Sequence, residues 1–207
     1  MFKIQNKIII VDDIESELDT LSNAFLKNGI GCRPMLYVNT YNQPLRNIRI
    51  AFFDINLAEK TVDDSGKTPE ESAILNSGLY SDLAFALNQY IAKDNGPYAL
   101  IFWTKNKKII DGFIKYVQNP DRGFSDTALP IFISFLDKDD FILENKKENL
   151  SVKLLKVLNS EEIKFLFDFE NKTKEAGEKT INKLYDIIPK DDNWGENMIL
   201  FDNLGKI

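Results

Sequence analysis

Histidine is absent from this chain of 207 residues, and cysteine occurs once, at Cys32. With no imidazole and one thiol, the chain cannot supply a Cys/His zinc site, a Ser-His-Asp triad, a phosphorylatable histidine or an internal disulfide. Arginine is scarce as well: Arg33, Arg46, Arg49 and Arg122 are the four among 26 basic residues. Those basic residues are dispersed and outnumbered by 32 acids, for a formal net charge of −6. Nucleic-acid binding needs a concentrated basic surface, so no direct nucleic-acid contact is expected. Long apolar runs are missing too. Ile8 to Val11 is a short run bounded by Lys7 and Asp12, far from the roughly 20 residues that span a bilayer. Nothing at the N-terminus reads as an export signal, so the expected location is cytoplasmic, away from the membrane. The chemistry left open rests on carboxylates, hydroxyls, amines and a hard metal ion.

Turning to what is present, 43% of residues are hydrophobic, enough for a buried core in one large domain or a domain with an extension. Strand and helix signals alternate through the first half. Lys7 to Val11 is a β-branched run that ends in Asp12 and Asp13, as expected of a buried strand. Ile14, Leu18, Leu21 and Phe25 then give one apolar helical face, stopped by Asn28 and Gly29. Pro34 to Val38 is a weak strand, and Ile48 to Phe53 is a strong one ending in Asp54. Residues 56–76 are rich in charged and small side chains and read as a long exposed loop. Leu79, Leu83, Leu87, Tyr90 and Ile91 mark a second helix, ended by Gly96 and Pro97. Tyr98 to Trp103 is a strand closing on Thr104, Ile109 to Val117 a helix, and Ile131 to Phe135 a fifth strand. This alternation predicts a doubly wound α/β fold with a five-stranded parallel sheet, whose ligands bind at the carboxyl ends of the strands.

That rule selects Asp12, Asp13, Asp54, Thr104 and the segment after Phe135, and neighbouring strand ends bring the three aspartates together. Three such carboxylates repel one another and favour protonation. A divalent cation relieves this, and oxygen ligands suit Mg2+. The plainer reading of Asp12 and Asp13 is that they favour the positive end of the following helix.

The fragments Ile9-Ile10-Val11-Asp12-Asp13, Phe52-Phe53-Asp54-Ile55-Asn56-Leu57, Phe102-Trp103-Thr104 and Phe132-Ile133-Ser134-Phe135-Leu136-Asp137-Lys138 occur in this order along the chain. Together they resemble the receiver domain of bacterial two-component response regulators, over roughly residues 5–145. The resemblance implies a flavodoxin-like receiver fold and a phosphoprotein role in signal transduction. Asp54 would be the phosphoacceptor, a carboxylate nucleophile that forms an acyl phosphate. Asp13 and Asp54 would hold Mg2+ directly, Asp12 through water, and Asn56 through its backbone carbonyl. Thr104 would turn its hydroxyl to the phosphoryl group, Lys138 would pair with it, and Phe135 would be the aromatic residue that moves inward on activation. Beyond self-catalysed phosphorylation and dephosphorylation, no enzyme activity is implied. The donor would be a histidine kinase or phosphotransfer protein in trans, since this chain has no histidine.

Three departures from the family stand out. Lys105 follows the strand-four hydroxyl where a small residue is usual, Asp139 follows Lys138 where proline is usual, and the loop after Asp54 is long. A pseudo-receiver, keeping the fold as a protein-interaction module without phosphorylation, is the alternative. A magnesium-dependent phosphohydrolase expects a second acid two residues beyond Asp54, and Asn56 stands there. Trp103 reads as core packing, and Cys32 as an inert small residue, with no histidine beside it to lower its pKa. The expected division is a receiver-like domain over 1–145, with 56–76 as an inserted loop, and a helical C-terminal extension over 146–207. Ser160 with Glu161 and Glu162 reads as a helix start, Gly177 weakens a single continuous helix, and Phe165, Phe167 and Phe169 fit a strand or a helix. Without a DNA-binding module in view, the extension would serve a homodimer, a downstream protein effector or a fused output domain.

Overall fold

A computed structural model describes residues 7–57, 75–104, 108–119, 121, 124, 127–138 and 147–187, the side chains of 108, 109, 111 and 147–149 excepted. Most of the 56–76 loop, Lys105, Lys107, Asp139 and the expected boundary at 145 thus lie outside the described residues. The chain divides into two compact units, Met1–Lys164 and Phe165–Ile207.

In the first unit, five parallel strands form one sheet: β1 (Ile8–Asp12), β2 (Arg33–Leu36), β3 (Ile50–Phe53), β4 (Ala99–Thr104) and β5 (Phe132–Asp137), in the order β2-β1-β3-β4-β5. The described helices are α1 (Glu15–Lys27), α2 (Ser77–Tyr90), α3 (Lys108–Gln118), α4 (Lys147–Leu158) and α5 (Glu161–Ile187). This is an α/β, flavodoxin-like arrangement with a helical C-terminal part. Every residue of β1, β3 and β4 is buried, which is why these strands read as unbroken apolar runs rather than alternating ones.

Strand alternation sorts the side chains onto two faces. Ile9, Val11, Ala51, Phe53, Leu100 and Phe102 share one cluster with Leu83 and Leu87 of α2 and Phe113 of α3. Phe102 meets Phe113 edge-on at 5.6 Å. Phe52 points the other way and meets Phe25 of α1 edge-on at 5.3 Å. Asn28 joins α1 to α4 by donating from Nδ2 to the Ser151 carbonyl at 3.3 Å, and Leu150 and Leu154 are buried. Each such buried side chain contributes about 1.5–3 kcal/mol before the entropy of ordering it.

The local signals for α1 are satisfied at both ends. The Ile14 amide donates to Asp12 Oδ1 at 2.9 Å, and Glu15 and Glu17 sit in the first turn, where acids favour the helix dipole. At the other end Gly29 takes φ +68°. The Gly29 and Ile30 amides donate back to Leu26 and Phe25 carbonyls at 2.9 and 3.0 Å, closing a Schellman turn.

Between β2 and β3 the chain runs through 37–49 without a helix. Tyr90 organises this segment instead. Tyr41 stacks on its ring at 4.5 Å, the Val38 amide donates to its hydroxyl at 2.8 Å, and Leu45 bridges to Ile91. Ile91 has already turned extended, so α2 ends ahead of the Gly96-Pro97 stop. Asn95 then accepts from the Ile48 amide at 2.8 Å and donates to its carbonyl at 2.9 Å, aligning the entry to β3.

In the second unit, α5 continues unbroken through Gly177 to Ile187. The flanking Lys174, Glu175, Ala176, Glu178 and Lys179 are strong helix formers that offset the glycine, and Lys174 pairs with Glu178 at 3.9 Å. Phe165 stacks on Phe169 at 6.4 Å, so the Phe-rich stretch is helical. Among the described residues, no helix is long and apolar enough to cross a membrane.

Candidate functional site

The site follows from strand register. Val11 is the register partner of Phe53, and the Asp54 amide donates to the Val11 carbonyl at 3.0 Å. The next side chains, Asp12 and Asp54, therefore emerge side by side at the carboxyl ends of adjacent strands. With Asp13 they form a cluster in which one carboxylate oxygen from each residue lies within 4.8 Å of the other two. Asp12 and Asp54 are buried and Asp13 is half-buried, so the cluster is reached from one side.

Lys138, just past the end of β5, is itself buried. Its Nζ lies 3.0 Å from Asp12 Oδ2 and 2.9 Å from Asp54 Oδ2, and it donates as well to Glu17 Oε2. The Trp103 ring lies beneath it, its centroid 5.9 Å from Nζ. Lysine carries three ammonium donors, and three carboxylates meet them.

Burial dominates the electrostatics of the site. Burial pushes the Asp12 carboxyl up to about 6, against the opposing pull of Lys138 and the Ile14 amide, and Asp54 adds to the rise. Burial also raises Asp54, opposed by Lys138 and the Asn56 backbone amide and reinforced by Asp13. For Lys138, burial alone would lower the pKa. The charges of Asp54 and Asp12 and the bond to Glu17 outweigh burial and raise it.

The cluster passes a test for a cation on its own geometry. Asp54 Oδ1 is buried with no hydrogen-bond partner, an orphan acceptor of the kind that stays unmet unless an ion or water occupies the site. Three converging carboxylates and no soft ligand fit a hard divalent cation. Asp12, Asp13 and Asp54 are the residues that could hold it.

The other expected site residues fall around this centre. Thr104 is the buried last residue of β4, paired in register with Asp137. Asn56 is half-buried two positions past Asp54. Phe135 is half-buried on β5, packed against the α2/α3 core cluster. Burial raises the pKa of the Cys32 thiol, in keeping with an inert residue. The residue that sequence reasoning missed is Glu17. It stands four positions after Asp13, one helical turn on, where its side chain leans back toward the helix N-terminus and the site. That spacing was the available signal.

No protein-family model, curated protein or solved structure matches this chain. What is shown is thus a five-stranded parallel α/β sheet carrying a buried acidic cluster that could hold a metal ion.

Proposed function

We propose that this protein is an atypical receiver domain that accepts a phosphoryl group on Asp54 from a phosphohistidine of a separate protein. The observation that carries the reading is the buried, unpartnered Asp54 Oδ1 within a three-carboxylate cluster, at the strand ends where such folds place their chemistry. Mg2+, held by Asp12, Asp13 and Asp54, would neutralise the incoming phosphoryl oxygens. Asp54 attacks phosphorus as nucleophile while the bond from phosphorus to the donor's imidazole nitrogen breaks, leaving an acyl phosphate on this chain and a free histidine on the donor. Lys138, within 2.9 Å of Asp54, then pairs with the bound phosphoryl group, with the Thr104 hydroxyl as a further donor. The change in charge at the strand ends would alter the surface offered to a downstream protein partner in the cytoplasm.

A second reading has its own support. Lys138 already pairs with both Asp12 and Asp54, as in a pseudo-receiver where the ammonium stands where a cation would and the fold serves only as an interaction module. One experiment separates the two. The chain is incubated with acetyl phosphate and Mg2+ and weighed intact. A labile phosphoryl adduct that is absent in Asp54→Asn supports the receiver; no adduct at any Mg2+ concentration supports the pseudo-receiver.

A further inference from the structure

We propose that Glu17 is a positioning residue for Lys138: it receives the ammonium when a divalent cation takes the aspartates, and so sets the affinity of the site for that ion. This inference rests on the cation-site reading above. The carboxylates of Asp12 and Asp54 each face two claims. Through Oδ2 they hold Lys138 Nζ at 3.0 and 2.9 Å, and both residues belong to the carboxylate group positioned for a cation. An entering ion competes with Lys138 for two of the three carboxylates that hold it and sets a double positive charge beside its ammonium. A buried ammonium without a partner is costly, and Lys138 is only 4% exposed. Glu17 is the acceptor that remains. It already bonds Lys138, and the three-acid cluster does not include it. Its side chain is 24% exposed, so Glu17 can follow the ammonium outward. The pairing of Lys138 with Glu17 thus strengthens as its pairing with the aspartates is lost, which is what makes Glu17 favour the cation-bound state.

The test is Mg2+ binding to the full chain by titration calorimetry. Glu17→Gln is expected to weaken binding about fivefold, the scale of one partly exposed ion pair. Glu15→Gln removes the same charge from the same first turn of α1 at an exposed position, and is expected to change affinity less than about twofold, as surface charges do. In a Lys138→Met background the effect of Glu17→Gln should vanish. An equal loss there shows plain attraction between Glu17 and the ion and overturns the proposal, as does an unchanged affinity for Glu17→Gln itself. If Lys138→Met does not fold, Glu17→Asp decides: the shorter side chain keeps the charge but not the reach, so a loss like that of Glu17→Gln supports contact, and wild-type affinity overturns it. Absence of Mg2+ binding by the wild-type chain strikes the cation site itself; binding without a Glu17 effect strikes this inference alone.

Discussion

Asp12→Asn tests the electrostatics of the site directly. The Asp12 carboxyl is 0% exposed and its pKa rises from the ordinary 3.8 to about 6 in the folded chain. A carboxyl raised on folding binds its proton more tightly in the native state, so its favourable contribution is complete below about pH 4. That contribution is lost as pH rises through about 6. The displacement corresponds to about 3 kcal/mol at 1.36 kcal/mol per pH unit. Asparagine has the shape of the protonated carboxyl and keeps the oxygen that accepts the Ile14 amide at 2.9 Å. In EDTA, then, Asp12→Asn, whose amide nitrogen cannot accept from Lys138 as Oδ2 does, should gain up to about 3 kcal/mol relative to the wild type between pH 4 and pH 8, measured by urea unfolding at both pH values. With saturating Mg2+ at pH 8 that relative gain should be reduced or reversed, because the wild type gains the ion's binding energy and the variant has lost a ligand. A variant that is less stable than wild type by the same amount at pH 4 and pH 8 in EDTA would refute the reasoning. It would make Asp12 an ordinary helix-start acceptor.

Two further predictions concern glycines in opposite settings. A Cβ on Gly112 would lie 2.1 Å from the hydroxyl oxygen and 2.9 Å from Cζ of Tyr80, itself 1% exposed, so Gly112→Ala should destabilise the chain by about 1–3 kcal/mol through overpacking. Tyr80→Phe should rescue this only in part in a thermal melt, and a neutral or stabilising Gly112→Ala would contradict the packing. Gly177 has open space at the same position, so Gly177→Ala should raise the helical signal in circular dichroism and stabilise α5 by about 1 kcal/mol. Loss of helicity there would mean the glycine serves a bend in solution.

The parts of the fold legible in the sequence were those decided locally. β1, β3 and β4 are buried throughout, so their apolar runs announced a covered parallel sheet, and the acids at their ends announced the site. What escaped was decided by distant contacts. The segment between β2 and β3 is held by Tyr90, a partner 52 residues from Val38, and no periodicity within 37–49 reports that. Glu17 escaped for a different reason. An acid in a first helical turn already has a sufficient local explanation in the dipole, and only the arrival of Lys138 from 121 residues away gives it a second role. Gly177 misled because propensity is a weak term beside the helix formers on either side.

Lys138 is the residue on which the two functional readings divide, and charge decides how to weigh them. Three carboxylates, those of Asp12, Glu17 and Asp54, contact one ammonium, and Asp13 lies beside the two aspartates. Burial raises both Asp12 and Asp54 against the pull of that ammonium, and Asp54 Oδ1 stays unmet although Oδ2 is paired. Two protons or one divalent cation would relieve that strain. At neutral pH, above the Asp12 value of about 6, a proton on Asp12 is the weaker remedy. A cation meets both the charge and the orphan oxygen, so Mg2+ binding is the measurement that tests the site, and the acetyl phosphate adduct is the one that separates the two proposed readings.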